Sequence, residues 1–256
     1  MVDVYFSNGN ELLPSTDKYV VRIFNIPAIS IRDSKGNIDK SCPNICLEAP
    51  DICKEICYAY KRQSGREKIV YGRRKANYEA TLEDAFVQTV VKKIENTLDY
   101  YNKDVKIIYR IHESGDFYHI DYLHKWVQIS DHFKKKTKVI FMAYTKNIEL
   151  LNQYLLRENK SLNEINIKFK YSVMEFSDFE GKTYTKTSDF PNKLSVANKL
   201  KNQGLTFYSL YAKEEDLPSE TEKVKQCVLG KKNETCATCK MKCYLENVDI
   251  VAVARL

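Results

Sequence analysis

Glycine is scarce in this chain of 256 residues, with only eight, and no two stand at the spacing of G-x-G-x-x-G or G-x-x-x-x-G-K. Neither phosphate-cradling fingerprint is therefore present, which argues against a dinucleotide fold or a P-loop enzyme. No run of about 18 apolar residues occurs, so no membrane span is expected. The first residues, Met-Val-Asp-Val-Tyr-Phe, lack the basic-then-apolar layout of an export signal. No stretch rich in Pro, Gly or Ser marks a linker, and there is no repeat. Cysteine is absent from the whole region between Cys57 and Cys227.

What is present is a core-forming composition: 43% hydrophobic residues, 12% of the chain aromatic. That excludes a disordered chain and suffices for one large domain. The charge is +7, from 41 Lys+Arg against 34 Asp+Glu, which permits an anionic partner without requiring one.

The eight cysteines fall in two windows. The first holds Cys42, Cys46, Cys53 and Cys57 (C-x3-C-x6-C-x3-C); the second holds Cys227, Cys236, Cys239 and Cys243 (C-x8-C-x2-C-x3-C). Without an export signal a reducing compartment is expected, where clustered thiols bind metal more often than they form disulfides. Gaps of two and three residues let thiolates converge on one centre, as zinc and iron–sulfur clusters both require. Neither tetrad matches the usual zinc ribbon of two C-x2-C pairs. An iron–sulfur cluster, of the 4Fe–4S kind, is the expectation, with structural zinc as the alternative. One centre or two, and a purely structural staple, remain open.

Hydrophobic patterning alternates between the two regular periods. Lys18–Ile31 reads as a strand or hairpin. Residues from about Asn77 to Tyr101 read as one long amphipathic helix through Leu82, Ala85, Phe86, Val90, Ile94 and Leu98. Val105–His112, Lys138–Tyr144, Ile165–Met174, Leu205–Leu210 and Val248–Ala254 read as strands. Ile120–Phe133, Ile148–Leu156 and Lys193–Lys201 read as helices, the last ending near Gly204. The order implies an α/β fold with a mostly parallel sheet, in the manner of a partial barrel. Residues 1–210 are assigned to that domain, and 211–256 to a Cys-rich C-terminal extension packed on it. Reactive groups should gather beyond the C-terminal ends of the strands: the first Cys loop, His112–Asp116, Tyr144-Thr145 and Met174-Glu175.

His112, Ser114 and Asp116 alternate along a strand end. They are the residue types of a base, a nucleophile and an orienter, so a hydrolase or esterase with a structural cluster is one reading. The other is a turn, with Gly115 accepting an awkward backbone angle. Arg110 is either a buried ion-pair partner or a clamp for carboxylate or phosphate, and Tyr144 lies where it could line the same cavity. Residues 61–75 carry Lys61, Arg62, Arg66, Lys68, Arg73, Arg74 and Lys75 with tyrosines interleaved, which suits a solvated face or a nucleic-acid-binding module relying on Arg73 and Arg74.

Two motifs carry a family resemblance. Cys46-x6-Cys53-x3-Cys57-Tyr58-Ala59 and Arg110-x-His112-x-Ser114-Gly115-Asp116-Phe117, with Asn77, Trp126 and Ala143-Tyr144-Thr145, resemble the bacteriophage gene product 88 family over about residues 40–243. The resemblance implies a phage or prophage origin, action in the cytoplasm of the bacterial host, and iron–sulfur binding by the cysteines. It adds Asn77 to Arg110 and Tyr144 as candidates for binding a small-molecule substrate. Cys42 or a C-terminal cysteine would be the fourth ligand. A more distant similarity is to radical SAM proteins, where a cluster loop follows the first strand of a partial barrel. That implies S-adenosylmethionine as a cofactor and a redox or radical enzyme. The hallmark C-x3-C-x2-C is absent, so the similarity bears on architecture more than chemistry.

Overall fold

A computed structural model describes residues 2–9, 13–30, 44–49, 51–55, 57–64, 68–101, 104–174, 190–211, 222–227, 235 and 242–253. Among these residues eight strands form one sheet: β1 (Phe6–Asn8), β2 (Tyr19–Phe24), β3 (Lys106–Ile111), β4 (Val139–Thr145), β5 (Lys168–Met174), β6 (Thr206–Tyr211), β7 (Val224–Gln226) and β8 (Asp249–Val253). Their order is β1-β2-β3-β4-β5-β6-β8-β7. β1 is antiparallel to β2, and every other neighbouring pair is parallel. From β2 to β6 spatial order equals chain order, so each crossover returns the chain beside the strand it has just left.

The crossovers are helices. α1 (Asp51–Glu55), α2 (Tyr58–Ser64), α3 (Lys68–Leu82) and α4 (Phe86–Tyr100) separate β2 from β3; α5 (Ile120–His132), α6 (Ile148–Arg157) and α7 (Phe190–Lys201) follow β3, β4 and β5. α4, α5, α6 and α7 pack side by side in that order. One side of the sheet, through Val20, Phe24, Ile107, Tyr109, Ile111, Phe141, Phe169 and Tyr171, meets these helices in the main core. Trp126 belongs to this core, edge-on to Phe24 and Phe86.

The other side is covered differently. Val21, Ile23, Ile108 and Met142 form a second cluster with Cys243 and Tyr244 of the short helix α8 (Lys242–Leu245) and with Val248 and Ile250. The period-2 alternation of strands explains the split: Ile107 and Tyr109 face the helices, whereas Ile108 and Arg110 face α8. The described part of 211–256 thus does not stand apart. It supplies two strands of the sheet and the cover of its second face.

The single long helix expected from Asn77 to Tyr101 is two helices, broken at Glu83-Asp84-Ala85. Lys125 of α5 explains the break, since its Nζ donates to Thr81 O (2.8 Å) and Glu83 O (2.9 Å), satisfying carbonyls that a continuing helix would use. Apolar periodicity runs through the interruption because α3 and α4 both face the same core. At the other end of the fold α7 stops as expected: Gly204 adopts φ +96°, and Leu205 N bonds back to Leu200 O.

Candidate functional site

Two side chains join the C-terminal ends of β2, β3 and β4. Asn25, the residue after β2, accepts the amide hydrogens of Glu113 (2.7 Å) and Ser114 (2.9 Å) on its Oδ1. The pairing of β2 with β3 also continues past their ends, with His112 N on Phe24 O and Ile26 N on Ser114 O. Asp116 extends the connection to β4, accepting from Phe117 N (2.7 Å) and from Lys146 N (2.8 Å). Burial pushes its carboxyl above the usual range, against these donors and Thr145.

His112, Ser114 and Asp116 come together at this edge without forming a relay. All three are buried. Ser114 Oγ donates to Ile26 O (2.9 Å), and His112 Nε2 meets Tyr122 OH (2.6 Å) on the helix side. Among the described hydrogen bonds none links any two of the three. The strand does not continue through them, because His112 sits at φ +66° and breaks the alternation that would align the side chains. The hydrolase geometry is therefore not built here, and the turn is.

Burial lowers the His112 imidazole to about 3, so it is neutral in the folded protein at any ordinary pH. Unfolded, it would titrate near 6.5. A depressed folded value means that the unfolded chain binds the extra proton, so stability is complete above 6.5 and falls as the pH drops. Denaturant titrations at pH 7 and pH 5 should show the wild type losing about 2 kcal/mol more than His112→Gln. Equal losses in the two proteins would refute that assignment.

Asn77 is buried and fully engaged. Its Oδ1 accepts from Tyr5 N (2.7 Å), and its Nδ2 donates to Tyr5 O (2.8 Å) and Asn25 O (2.8 Å). It is a staple between the N-terminal segment, α3 and the β2 end. Asn77→Ala strands several buried partners and should cost about 2–4 kcal/mol in chemical denaturation.

The first cysteine loop lies over the same edge. Cys46, Cys53 and Cys57 are all half-buried and close enough to interact electrostatically; Asp116 also acts on Cys46, and Lys146 on Cys57. Burial pushes the Cys46 thiol up to about 12 and raises Cys57 as well. Backbone amides are nevertheless aimed at both sulfurs: Ile29 N lies 3.3 Å from Cys46 Sγ, and Tyr60 N 3.4 Å from Cys57 Sγ. Ile29 holds its amide there at φ +64°, a conformation that costs a β-branched residue about 1–2 kcal/mol. An ion pair between Lys193 of α7 and Glu48 ties the loop to the helix layer. Among the described residues no three of His, Cys, Asp and Glu close to the distances of a single bound metal ion.

Cys243, on α8 itself, belongs to the second cluster, and Cys227 packs against that cluster. Cys42, Cys236 and Cys239 lie outside the described residues.

Arg110 projects on the α8 face beside Tyr144, its guanidinium 5.2 Å from the ring centre. Nη1 reaches Tyr244 OH at 3.3 Å and Glu113 at 3.8 Å, whereas Nε is buried with no partner. Tyr58 donates to Glu113 O (2.9 Å). Tyr58 is half-exposed, with Arg110 and Glu113 close enough to act on its phenol. Of the basic pair, Arg73 is exposed over the ring of Tyr5 (6.0 Å), but Arg74 is buried and donates to Ala59 O (2.9 Å), which holds α3 to α2.

A family model described as Gene product 88 matches residues 5–243. The chain belongs to that family. No curated protein and no solved structure matches it. Both motifs of this Gene product 88 protein meet at one sheet edge, with the cysteine loop on the β2 side and the Ser-Gly-Asp turn after β3. Its membership agrees with a bacteriophage origin, and among the described residues no helix is long and apolar enough to cross a membrane. Sequence reasoning passed over Asn25, Ile29, Lys146 and Lys170, and named Tyr58 only within its motif. Of the four, only Lys146, directly after the Ala143-Tyr144-Thr145 strand end, carried a positional signal.

Proposed function

We propose that this Gene product 88 protein binds an iron–sulfur cluster through Cys46, Cys53 and Cys57 and acts as a cluster-dependent enzyme of redox or radical type in the host cytoplasm. The observation that carries this reading is the pair of amides directed at Cys46 and Cys57. A buried neutral thiol gains little from such donors, but a sulfur carrying negative charge gains much. Burial opposes that charge, so a cation must take the place of the proton, and soft thiolate ligands suit iron in a cluster. Hydrogen bonds to ligating sulfurs are also what tunes a cluster's potential. Chain-order parallel strands, with the loop after the first of them and a small-residue acidic turn after the second, support the partial-barrel comparison with radical SAM proteins.

The cluster would supply one-electron chemistry. The chain's own residues would hold it, shield it under α1 and α2, and present Tyr58, Arg110 and Tyr144 to a substrate. Three ligands leave one iron for a fourth group, with S-adenosylmethionine one candidate and a further cysteine another.

Anaerobic purification followed by iron, sulfide and zinc analysis tests the proposal. About four irons with matching sulfide, a brown visible spectrum and reduction by dithionite are expected. A change in the EPR signal on adding S-adenosylmethionine would support the radical branch. A colourless protein loaded with zinc would overturn the whole reading.

A further inference from the structure

We infer that Asp116 is the fourth ligand of the cluster, its carboxylate binding the iron that Cys46, Cys53 and Cys57 leave open. The inference rests on the proposed cluster and assigns the group that completes it.

Chain contacts carry the Ser-Gly-Asp turn to the cysteine segment. Ile26 N bonds to Ser114 O (3.3 Å), and a carbon added at Gly115 would stand 3.2 Å from Pro27 O. Just beyond, Ile29 N lies 3.3 Å from Cys46 Sγ, and Ile29 O accepts from Ile45 N (3.0 Å). Residues 26–29 thus have the turn at one end and Cys46 at the other. Across that short span Asp116 acts electrostatically on Cys46 more strongly than Cys53 or Cys57 does. The carboxyl is also prepared as the sulfurs are. Asp116 is buried, and each of its oxygens takes an amide: Phe117 N on Oδ1 (2.7 Å) and Lys146 N on Oδ2 (2.8 Å), with Thr145 as a further donor. Such donors favour the carboxylate, as those at Cys46 and Cys57 favour thiolates. Burial opposes both kinds of charge, and the two anions repel one another. The ammonium of Lys146 acts on Asp116 and on Cys57, but its Nζ is directed to Ser172 Oγ (3.0 Å). A cation shared by Asp116 and the thiolates removes the conflict. Each carboxylate oxygen keeps a lone pair beyond its amide, and carboxylates are iron ligands in their own right. Among the described residues no three such groups close on one ion, but a cluster spreads its ligands over several irons.

The test is Mössbauer and EPR spectroscopy of anaerobically purified wild type, Asp116→Asn and Asp116→Cys, with iron and sulfide measured on the same samples. In the wild type one iron should stand apart from the rest by the larger isomer shift of an oxygen ligand. Electron–nuclear double resonance in deuterium oxide should find no exchangeable deuteron on that iron, which separates a carboxylate from bound water. Asp116→Asn offers a neutral, weaker donor and should lose about one iron in four, leaving the EPR signal of an oxidised three-iron cluster. Asp116→Cys should keep the full complement, and the distinct iron should vanish from its Mössbauer spectrum. Asp121→Asn, at an exposed carboxyl on α5, should match the wild type throughout. The wild-type spectra carry the test should a variant fail to fold. The inference is overturned if all irons of the wild type are alike, if the distinct iron carries an exchangeable deuteron, or if Asp116→Asn keeps the wild-type iron and spectra. It is overturned too if S-adenosylmethionine alters the wild-type and Asp116→Asn signals equally and so owns the open iron. Each of those results leaves a cluster on the three cysteines standing. A wild type without iron would sink the proposed function, and this inference with it.

Discussion

Anaerobically purified Cys46→Ser, Cys53→Ser and Cys57→Ser proteins are each expected to lose most of their iron and the visible absorbance that accompanies it. Oxygen in place of sulfur is a poor ligand for a soft centre, and each of these thiols sits in the first cysteine segment, over the strand ends. The three variants should remain folded, because each replaces a half-buried side chain by a near isostere. Far-UV circular dichroism would verify that. The amide at Ile29 gives a finer control. Ile29→Gly retains the N–H aimed at Cys46 and removes the penalty of φ +64°. It should keep its iron, which a protein relying on the isoleucine side chain would not. Cys243→Ser addresses a different place, because Cys243 belongs to α8 and packs in the second cluster with Tyr244 and Met142. If it alone emptied the protein of iron, the first loop would not be the cluster's seat.

The strands and most helices of this fold were legible because their signals are local. Val139–Thr145 is a short, nearly continuous apolar run, as a strand covered on both faces requires, and Ile148–Arg157 repeats at three and four. The break between α3 and α4 was hidden because a lysine more than forty residues along the chain ends the helix by capping its carbonyls. The strand-end motif was legible as a place but not as chemistry. Reading His112, Ser114 and Asp116 as aligned assumes that the strand runs on, and a positive φ at His112 is invisible in an alternating pattern. Asn77 was legible as a motif residue but not as the tie it makes between Tyr5 and Asn25, because those partners lie far from it in the chain. Lys146 and Lys170 escaped notice because an isolated lysine in a chain of this charge looks like surface, and only the register that puts Lys170 beside Thr206 buries it.

Gly115→Ala is expected to be among the most damaging single substitutions in the chain. Two separate costs meet there. The residue holds φ +83°, where a Cβ costs about 1–2 kcal/mol. The added carbon would also stand 2.3 Å from Cγ1 of Ile26, well inside contact distance, and 3.2 Å from Pro27 O. Ile26 cannot step aside easily, since it is fully buried and its own amide is bonded to Ser114 O. A total of about 3–5 kcal/mol follows, a large part of a typical domain's stability. Ile26→Ala alone should cost about 2–4 kcal/mol through the cavity it leaves. In the double variant the alanine at 115 occupies part of that cavity, so the two losses should fall short of additive by about 1–3 kcal/mol. Strict additivity would show that the backbone angle carries the whole effect. Gly72→Ala gives the opposite sign: nothing lies within 4 Å of its added carbon, inside the exposed part of α3, and it should stabilise by about 0.5–1 kcal/mol. The same displacement should also reach the metal. Ile26 leads through Pro27 and Ala28 to Ile29, whose amide faces Cys46. A folded residue of Gly115→Ala at low temperature should therefore bind less iron than the wild type, whereas Gly72→Ala should bind the same amount.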